Sequence, residues 1–291
     1  MSSLPTLHVL GCGRAAQAIA RSLHQVGAVE IGQVCNRSLG SARAAVAFIG
    51  SGTPVEFMDQ AVTGGWLLLG LADDDLAAGA VGLSHRMPGQ PELAFHLSGS
   101  TPAAVLEPLA APVAAVHPVR AFADPQTAAE RFSGTWCVAE GQALALERLK
   151  PAFEAAGARW LALGAGDKAL YHAATVAASN FLVTLTDLAR RLAEAGGLAE
   201  PQARELIASL QRSTLDNLEQ QSTESALTGP VERNDLEACR RQLERLVAAL
   251  PGDAPAFRAM ALATVALAER KDGDERQALR KLFELADQPL E

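Results

Sequence analysis

The sequence predicts an α/β domain with a mostly parallel sheet, followed by an all-α domain, and two observations carry that prediction. Up to about residue 164, short β-rich apolar runs alternate with helical patterns, the order that lays a parallel sheet between two layers of helices. Beyond that point no β-rich run recurs, and long segments rich in Ala, Leu, Glu, Arg and Gln take over. The first domain is therefore read as residues 1–164 and the second as residues 165–291, with the boundary at Gly164 to Gly166.

Leu7 to Leu10 reads as a buried strand, followed by a glycine turn and a helix over Arg14 to Val26. Val29 to Cys35 is a second strand and Ser41 to Phe48 a second helix. Trp66 to Leu71 is the most apolar strand, and Asp73, Asp74 and Asp75 after it suit a helix N-terminus, with Asp75 as the cap. Leu93 to Leu97, Val113 to Val116 and Trp136 to Val138 are further strands, Gln142 to Ala156 a helix, and Arg159 to Leu163 a last strand. In the second domain helices are predicted over 167–195, 201–220, 232–250, 254–271 and 273–287. They are broken at Gly196-Gly197, Thr228-Gly229-Pro230, Pro251-Gly252 and Asp272-Gly273.

Composition narrows the function classes. The chain has 291 residues, a net charge of −8 and 49% hydrophobic residues, enough for one large domain or two ordinary ones. The acidic balance argues against a nucleic-acid binder, which presents a basic face. No polybasic run marks a membrane surface, and the longest apolar stretches fall short of the roughly 20 residues of a spanning helix. No signal peptide is visible, and Cys12, Cys35, Cys137 and Cys239 are too scattered for zinc spacing. The expectation is a cytoplasmic protein without a bound metal, working on a small molecule rather than on nucleic acid or membrane.

Gly11-Cys12-Gly13-Arg14-Ala15-Ala16 is a G-x-G-x-x-A turn placed between the first strand and the first helix, the Rossmann context that makes such a motif informative. Gly11 would allow the tight turn, Gly13 would let the backbone approach a pyrophosphate, and Ala16 is small enough for close helix–strand packing. The helix N-terminus, from Arg14 and Ala15, offers free N–H groups to an anion. At the end of the second strand a site for NAD(H) would place an Asp or Glu on the ribose. Asn36-Arg37-Ser38 stands there instead. Arg37 can pair with a 2′-phosphate and Ser38 can donate to it, which favours NADP(H); the alternative is that Arg37 is only a solvated surface residue. Ala72 and Asp73, with Ser98 and Gly99 after the next strand, would sit at the carboxyl edge of the sheet beside the nicotinamide.

On the first long helix of the second domain, Lys168, His172, Thr175 and Ser179 fall within about 40° of one another. A polar stripe on an Ala- and Val-rich helix is costly if buried without a use. Asn180 belongs to the neighbouring face, and Tyr171, the one tyrosine of the chain, points elsewhere than His172. His117 precedes Pro118, which biases it to an extended conformation aimed at the ligand edge; a structural histidine is the alternative. His8, His24, His85 and His96 are read as structural.

The glycine turn, His96-Leu97-Ser98-Gly99, His117-Pro118, the K-x-x-Y-H-A-A-x-x-A-S-N run from Lys168 and Leu227-Thr228-Gly229-Pro230-Val231-Glu232-Arg233-Asn234-Asp235 occur in this order. In this the chain resembles, over nearly its whole length, the Rossmann-like, DUF2520-containing oxidoreductases. Family members commonly have R-G-D where this chain has Arg233-Asn234-Asp235, a departure that removes the glycine able to hold a special backbone geometry. Here Arg233 and Asp235 are expected to form an ion pair fixing helix entry. The layout is also similar to the 6-phosphogluconate-dehydrogenase-like reductases: 3-hydroxyacid dehydrogenases, ketopantoate reductase, pyrroline-5-carboxylate reductase and deazaflavin-dependent NADP reductases. The resemblance implies a nicotinamide reductase paired as a homodimer through the helical domain. It also implies acid–base chemistry for a Lys at the position of Lys168, with a substrate-binding Asn one turn on, where this chain departs to His172.

These readings converge on an NADPH-dependent oxidoreductase reducing a small carbonyl or imine at an interdomain cleft. His172 is the first candidate for the proton donor and Lys168 the second, with His117 and Asn180 as further catalytic candidates and Ser98 as a positioning group. The alternatives are a ketopantoate-reductase-like enzyme, a pyrroline-5-carboxylate-type imine reductase, a non-catalytic NADP-binding regulator, or an enzyme that pairs NADP with a deazaflavin.

Overall fold

The structure is a computed structural model and describes residues 4–56, 64–87, 89–164 and 167–284. The chain divides into two compact units, Met1–Ser179 and Asn180–Glu291.

The first unit is built on eight strands, β1 (Thr6–Leu10), β2 (Glu30–Cys35), β3 (Thr53–Val55), β4 (Trp66–Leu69), β5 (Leu93–His96), β6 (Val113–Pro118), β7 (Trp136–Gly141) and β8 (Arg159–Ala162). Their order in the sheet is β3-β2-β1-β4-β5-β6-β7-β8. The first six run parallel; β7 pairs antiparallel with β6, and β8 runs parallel to β7. The helices are α1 (Arg14–Gln25), α2 (Leu39–Ile49), α3 (Leu76–Ser84), α4 (Pro125–Glu130) and α5 (Ala143–Ala155).

Side chains alternate across a strand, so a sheet covered on both faces needs apolar residues at every position. Here Trp66 and Leu68 of β4, Leu93 and Phe95 of β5 and Ala114 and Val116 of β6 join one core with Ile19, Leu23, Leu149 and Phe153 from α1 and α5. The intervening Leu67, Leu69, Ala94, Val113 and Ala115 join a second core with Leu76 and Ala80 of α3 and Leu106 and Leu109 from a 3₁₀ segment. These two cores explain why the central strands β4, β5 and β6 are so largely apolar.

The structure corrects two local expectations here. Strand β3, which the sequence reading omitted, is three residues long and contains Pro54; it is tolerated because β3 is the edge strand. Asp75 does not cap α3 through its side chain: Asp73–Asp75 form a 3₁₀ turn, and no side chain caps the helix behind it.

The helix α6 (Lys168–Ala195) begins in the first unit and continues into the second, whose further helices are α7 (Glu200–Gln220), α8 (Thr223–Ala226), α9 (Leu236–Ala249), α10 (Ala254–Asp272) and α11 (Gln277–Glu284). Of the link at Gly164 to Gly166, the last two residues lie outside the described residues, as does the expected end of the last helix at 285–287. The core of the second unit joins Cys239 and Leu243 of α9, Ala261 and Val265 of α10, and Leu279, Leu282 and Phe283 of α11.

Helix α9 starts at Leu236 rather than 232 because the turn before it ends in left-handed geometry. Asn234 has φ 55°, which Asn tolerates better than other non-glycine residues, so the geometry is kept without a glycine. Asp235 then caps α9, accepting from the Ala238 N–H at 2.9 Å. The expected pair between Arg233 and Asp235 is not formed: Asp235 serves as the cap, and no ion pair joins the two residues. Helix α11 likewise starts late, at Gln277, because Gly273 closes α10 in left-handed geometry. The buried guanidinium of Arg276 then donates to the carbonyls of Val231 and Glu232 and to Asp272.

Candidate functional site

The strand order turns back between β1 and β4, and in an open parallel sheet the crevice at that point, outside the carboxyl ends, collects ligands. A groove of about 430 Å³ lies there, lined by Gly13, Arg14 and Ala15 from the first turn, Ala72 and Asp73 after β4, and Ser98 after β5. Six of the residues predicted from the sequence to touch the cofactor therefore share one cavity.

The glycines of the groove divide by role. Gly11 has φ 77°, and a Cβ there would collide with Leu71 and with the Gly70 carbonyl, so Gly11 is required by the protein's own packing. Gly70 is equally enclosed, by Gly11 and Ala16. A Cβ on Gly13, in contrast, would meet nothing closer than 4.0 Å, so the space above it is left open to a ligand. Gly13 also precedes α1 without any side-chain cap, which leaves the first N–H groups of the helix unpartnered and facing that space. The buried Cys12 holds the turn, its N–H donating to Asn36 Oδ1. Asn36 is thus a brace between β1 and β2. Arg37 and Ser38 are exposed at the end of β2, with Ser38 Oγ capping α2 by accepting from the Ser41 N–H.

Around the loop after β5 stands a second set of groups. Ser98 Oγ accepts from the Ser100 and Thr101 N–H groups, and Ser100 Oγ donates to Asp73 Oδ2 at 2.5 Å. Burial works to raise the Asp73 carboxyl, but bonds from Ser100 and Ser98 together with the nearby His96 and His172 hold it below the ordinary value. His96 is fully buried and accepts the Ser98 N–H on Nδ1, so Nε2 carries the hydrogen and donates to the Pro102 carbonyl. Burial and the charge of Lys168 lower its pKa to about 4, and it serves as a neutral structural brace.

The first turns of α6 supply the rest. Lys168 Nζ lies 3.1 Å from Glu140 Oε1, and its side chain is only 10% exposed. The same Glu140 oxygen accepts the Ala103 N–H. Burial lowers the Lys168 pKa, and the Glu140 partner opposes that only in part. Tyr171 Oη is hydrogen-bonded to His117 Nδ1 at 2.7 Å, and the rings of His117 and His172 meet edge to face, 5.7 Å between centroids. Burial, then His172 and Lys168, lower the pKa of His117 to about 4, and burial pushes the Tyr171 phenol up to about 12. His172 Nδ1 and the Nε2 edge of His117 both crowd the point where a Cβ on Gly99 would stand, so Gly99 is the floor between the two histidines. Thr175 Oγ1 lies 3.4 Å from His172 Nδ1.

The structure brings Lys168, His117 and His172 near Ser98 and Gly99. Asn180 is exposed on α6, opens the second unit and is not one of the gathered groups. Tyr171 and Glu140 were missed. Tyr171 reaches His117, a partner 54 residues distant that helical geometry alone cannot reveal, and His172 packs on the same imidazole ring. Glu140 sits at the end of a strand that reads only as apolar chain. Among the described residues, no cluster of His, Cys, Asp or Glu could hold a metal ion, and no helix is long and apolar enough to cross a membrane.

Residues 135–264 match the family model described as a domain of unknown function, DUF2520. No curated protein matches the chain in sequence. Among solved structures, protein TM1727 from Thermotoga maritima is similar with a TM-score of 0.73 at 23% identity, covering 90% of this chain and 99% of its own. Protein BF3122 from Bacteroides fragilis, described as a candidate NADP oxidoreductase, is similar with a TM-score of 0.70 at 21% identity, covering 93% and 99%. An imine reductase from Myxococcus stipitatus, solved in complex with NADP+, follows with a TM-score of 0.62 at 15% identity, covering 96% and 100%. At these identities the likeness is one of fold, and it agrees with the strand order and the glycine turn. The chain therefore has a Rossmann-type fold, and residues 135–264 of it are similar to the DUF2520 model.

Proposed function

We propose that the protein is an NADPH-dependent reductase of a small carbonyl or imine compound. The observation that carries this reading is the junction of two half-sites within one unit. An open anion cradle at Gly13 shares its groove with Asp73 and Ser98, and these adjoin a floor of two histidines at Gly99. The fold likeness to an imine reductase holding NADP+ and to a candidate NADP oxidoreductase supports it.

The residues present fit that cofactor. Gly13 and the N–H groups of Arg14 and Ala15 would hold the pyrophosphate, and Arg37 with Ser38 would take the 2′-phosphate. Ala72, Asp73, Ser98 and Gly99 would line the nicotinamide end. When bound, NADPH supplies a hydride to the substrate carbon. As that carbon is reduced, the C=O or C=N electron pair moves onto the heteroatom, which must then gain a proton.

His172 is the donor we assign. It stands over Gly99 with its Nδ1 nearest the position of a Cβ there, is free of any ion pair among the described residues, and an imidazole can carry and pass on a proton. Lys168 is engaged by Glu140, so its part is to hold the start of α6 on the sheet and to shape the field around the histidines. The chain is also proposed to pair as a homodimer through its helices, where Phe181 and Val183 of α6 and Leu206 and Leu210 of α7 stand exposed.

The test is a screen of ketones, keto acids and cyclic imines for oxidation of NADPH, followed by the same assay on His172→Ala. Turnover with at least one class, lost in the variant, supports the assignment. Full turnover in His172→Ala would remove His172 from the mechanism.

A further inference from the structure

We propose that Tyr171 is a positioning residue whose hydroxyl locks His117 as the Nε2–H tautomer, so that this N–H donates a hydrogen bond over Gly99 to the heteroatom of the group being reduced. The inference rests on the reductase reading for its substrate, while the Tyr171–His117 coupling itself is a property of the protein alone.

The geometry supplies the direction of the bond. Oη of Tyr171 and Nδ1 of His117 are 2.7 Å apart, and the two rings meet at 81°. A neutral imidazole has one N–H and one lone pair, and its bare nitrogen is a better acceptor than a phenol oxygen, which is the better donor. Tyr171 Oη has no other hydrogen-bond partner among the described residues, so its hydrogen goes to Nδ1 and the imidazole hydrogen must sit on Nε2. That edge of the ring is the one that lies against Gly99, with both Cε1 and Nε2 3.0 Å from the position of a Gly99 Cβ. No described group accepts from Nε2, so the donor is left for a ligand.

The titratable groups around the pair keep it in this state. His172 and Lys168 face His117 from α6, and both disfavour a charge on it; Asp73 acts the other way but more weakly. Cys137 on β7 lies near Tyr171 and is itself a buried thiol pushed up to about 12. A neutral His117 cannot shed a proton easily, so it polarises the C=O or C=N bond while its neighbour His172 delivers the proton.

Tyr171 is the only tyrosine of the chain, which makes the test clean. Nitrogen-15 NMR of the imidazoles in the full-length protein should show His117 with Nε2 protonated and Nδ1 bare. In Tyr171→Phe that single tautomer should give way to a mixture, with the titration of His117 moved upward from about 4. Uniform replacement of tyrosine by ring-fluorinated tyrosine labels position 171 alone, and its fluorine resonance should shift in His117→Gln; this variant reads the bond even if Tyr171→Phe folds poorly. Once a substrate is in hand, Tyr171→Phe should lower kcat at least about tenfold, the usual effect of removing a group that orients a functional histidine, with NADPH affinity unchanged.

A wild-type His117 protonated on Nδ1, or a tautomer indifferent to Tyr171→Phe, overturns the proposal. Turnover that is unaltered in Tyr171→Phe removes the positioning role but leaves the reductase reading intact. A coupled pair in a protein that neither binds nor oxidises NADPH overturns the reductase reading instead, and with it the role of the donor.

Discussion

His172 Nδ1 lies so close to the backbone of Gly99 that a Cβ on that glycine would overlap it, and the Nε2 edge of His117 closes the same point from the other side. Two histidines from distant parts of the sequence are thereby fixed on either side of one residue without a side chain. Gly99→Ala should push at least one ring aside. Displacements near 1 Å at a reacting centre cost about a hundredfold in rate, and a drop of that order in kcat/KM is expected, with NADPH binding little changed. Steady-state kinetics beside a cofactor titration would show it. An alanine variant of normal activity would mean that the histidines do not meet substrate over Gly99.

The buried histidines predict a dependence of stability on pH. His96 and His117 stay neutral in the folded protein until about pH 4, while in the unfolded chain they take up protons near the ordinary imidazole value of about 6.5. Between those values the unfolded state binds more protons, so stability falls as pH drops from about 6.5 toward 4 and levels off below. For the fully buried His96 the loss is of the order of 3 kcal/mol. His8, buried and accepting the Gln33 N–H on Nδ1, is lowered by burial and adds in the same direction. Urea unfolding at a series of pH values measures this, and a flat stability profile over the range would contradict it.

Glu140 is expected to be the partner that keeps Lys168 protonated on the sheet. In Glu140→Gln the charge and much of the hydrogen bond are lost, so the Lys168 pKa should fall further, since burial then acts unopposed except by Asp73. Removing one partner of a largely buried pair is destabilising by about 3–5 kcal/mol when both are fully enclosed, and somewhat less is expected here, because the Glu140 side chain is 24% exposed. Thermal unfolding of Glu140→Gln beside the double variant Glu140→Gln/Lys168→Met would separate the two effects. If the double variant is no more stable than Glu140→Gln alone, the stranded ammonium is not the cause.

Exposed Leu206 and Leu210 are one turn apart on α7, and Phe181 and Val183 are exposed on α6. If these helices pair the proposed homodimer, Leu210→Asp should dissociate it. Sedimentation of the wild type at twice the chain mass, reduced to the chain mass in the variant, is the expected result; a wild-type monomer would set the pairing aside.

Much of the first unit was legible because a sheet covered on both faces imposes unbroken apolar strands, and Trp66 to Leu69 is such a run. The glycine turn was legible because its spacing follows from what the backbone must do there. Edge strand β3 was not, since three residues around Pro54 carry no pattern. The role of Asp73 was only partly readable. Its place on the carboxyl edge followed from β4, but its bond to Ser100 depends on how two loops meet. Tyr171 shows the limit most clearly. Helical periodicity separated it from His172 on the helix, yet its partner, His117, is supplied by β6, far off in sequence, and His172 packs on that same ring.

The most direct test of the account is calorimetric titration of the protein with NADPH and, separately, with NADH. The account predicts strong preference for NADPH, and a loss of roughly ten- to hundredfold for NADPH alone in Arg37→Ala, the effect of one charge-assisted hydrogen bond. Binding of neither dinucleotide would contradict it, leaving the open space at Gly13 without the ligand for which it is read.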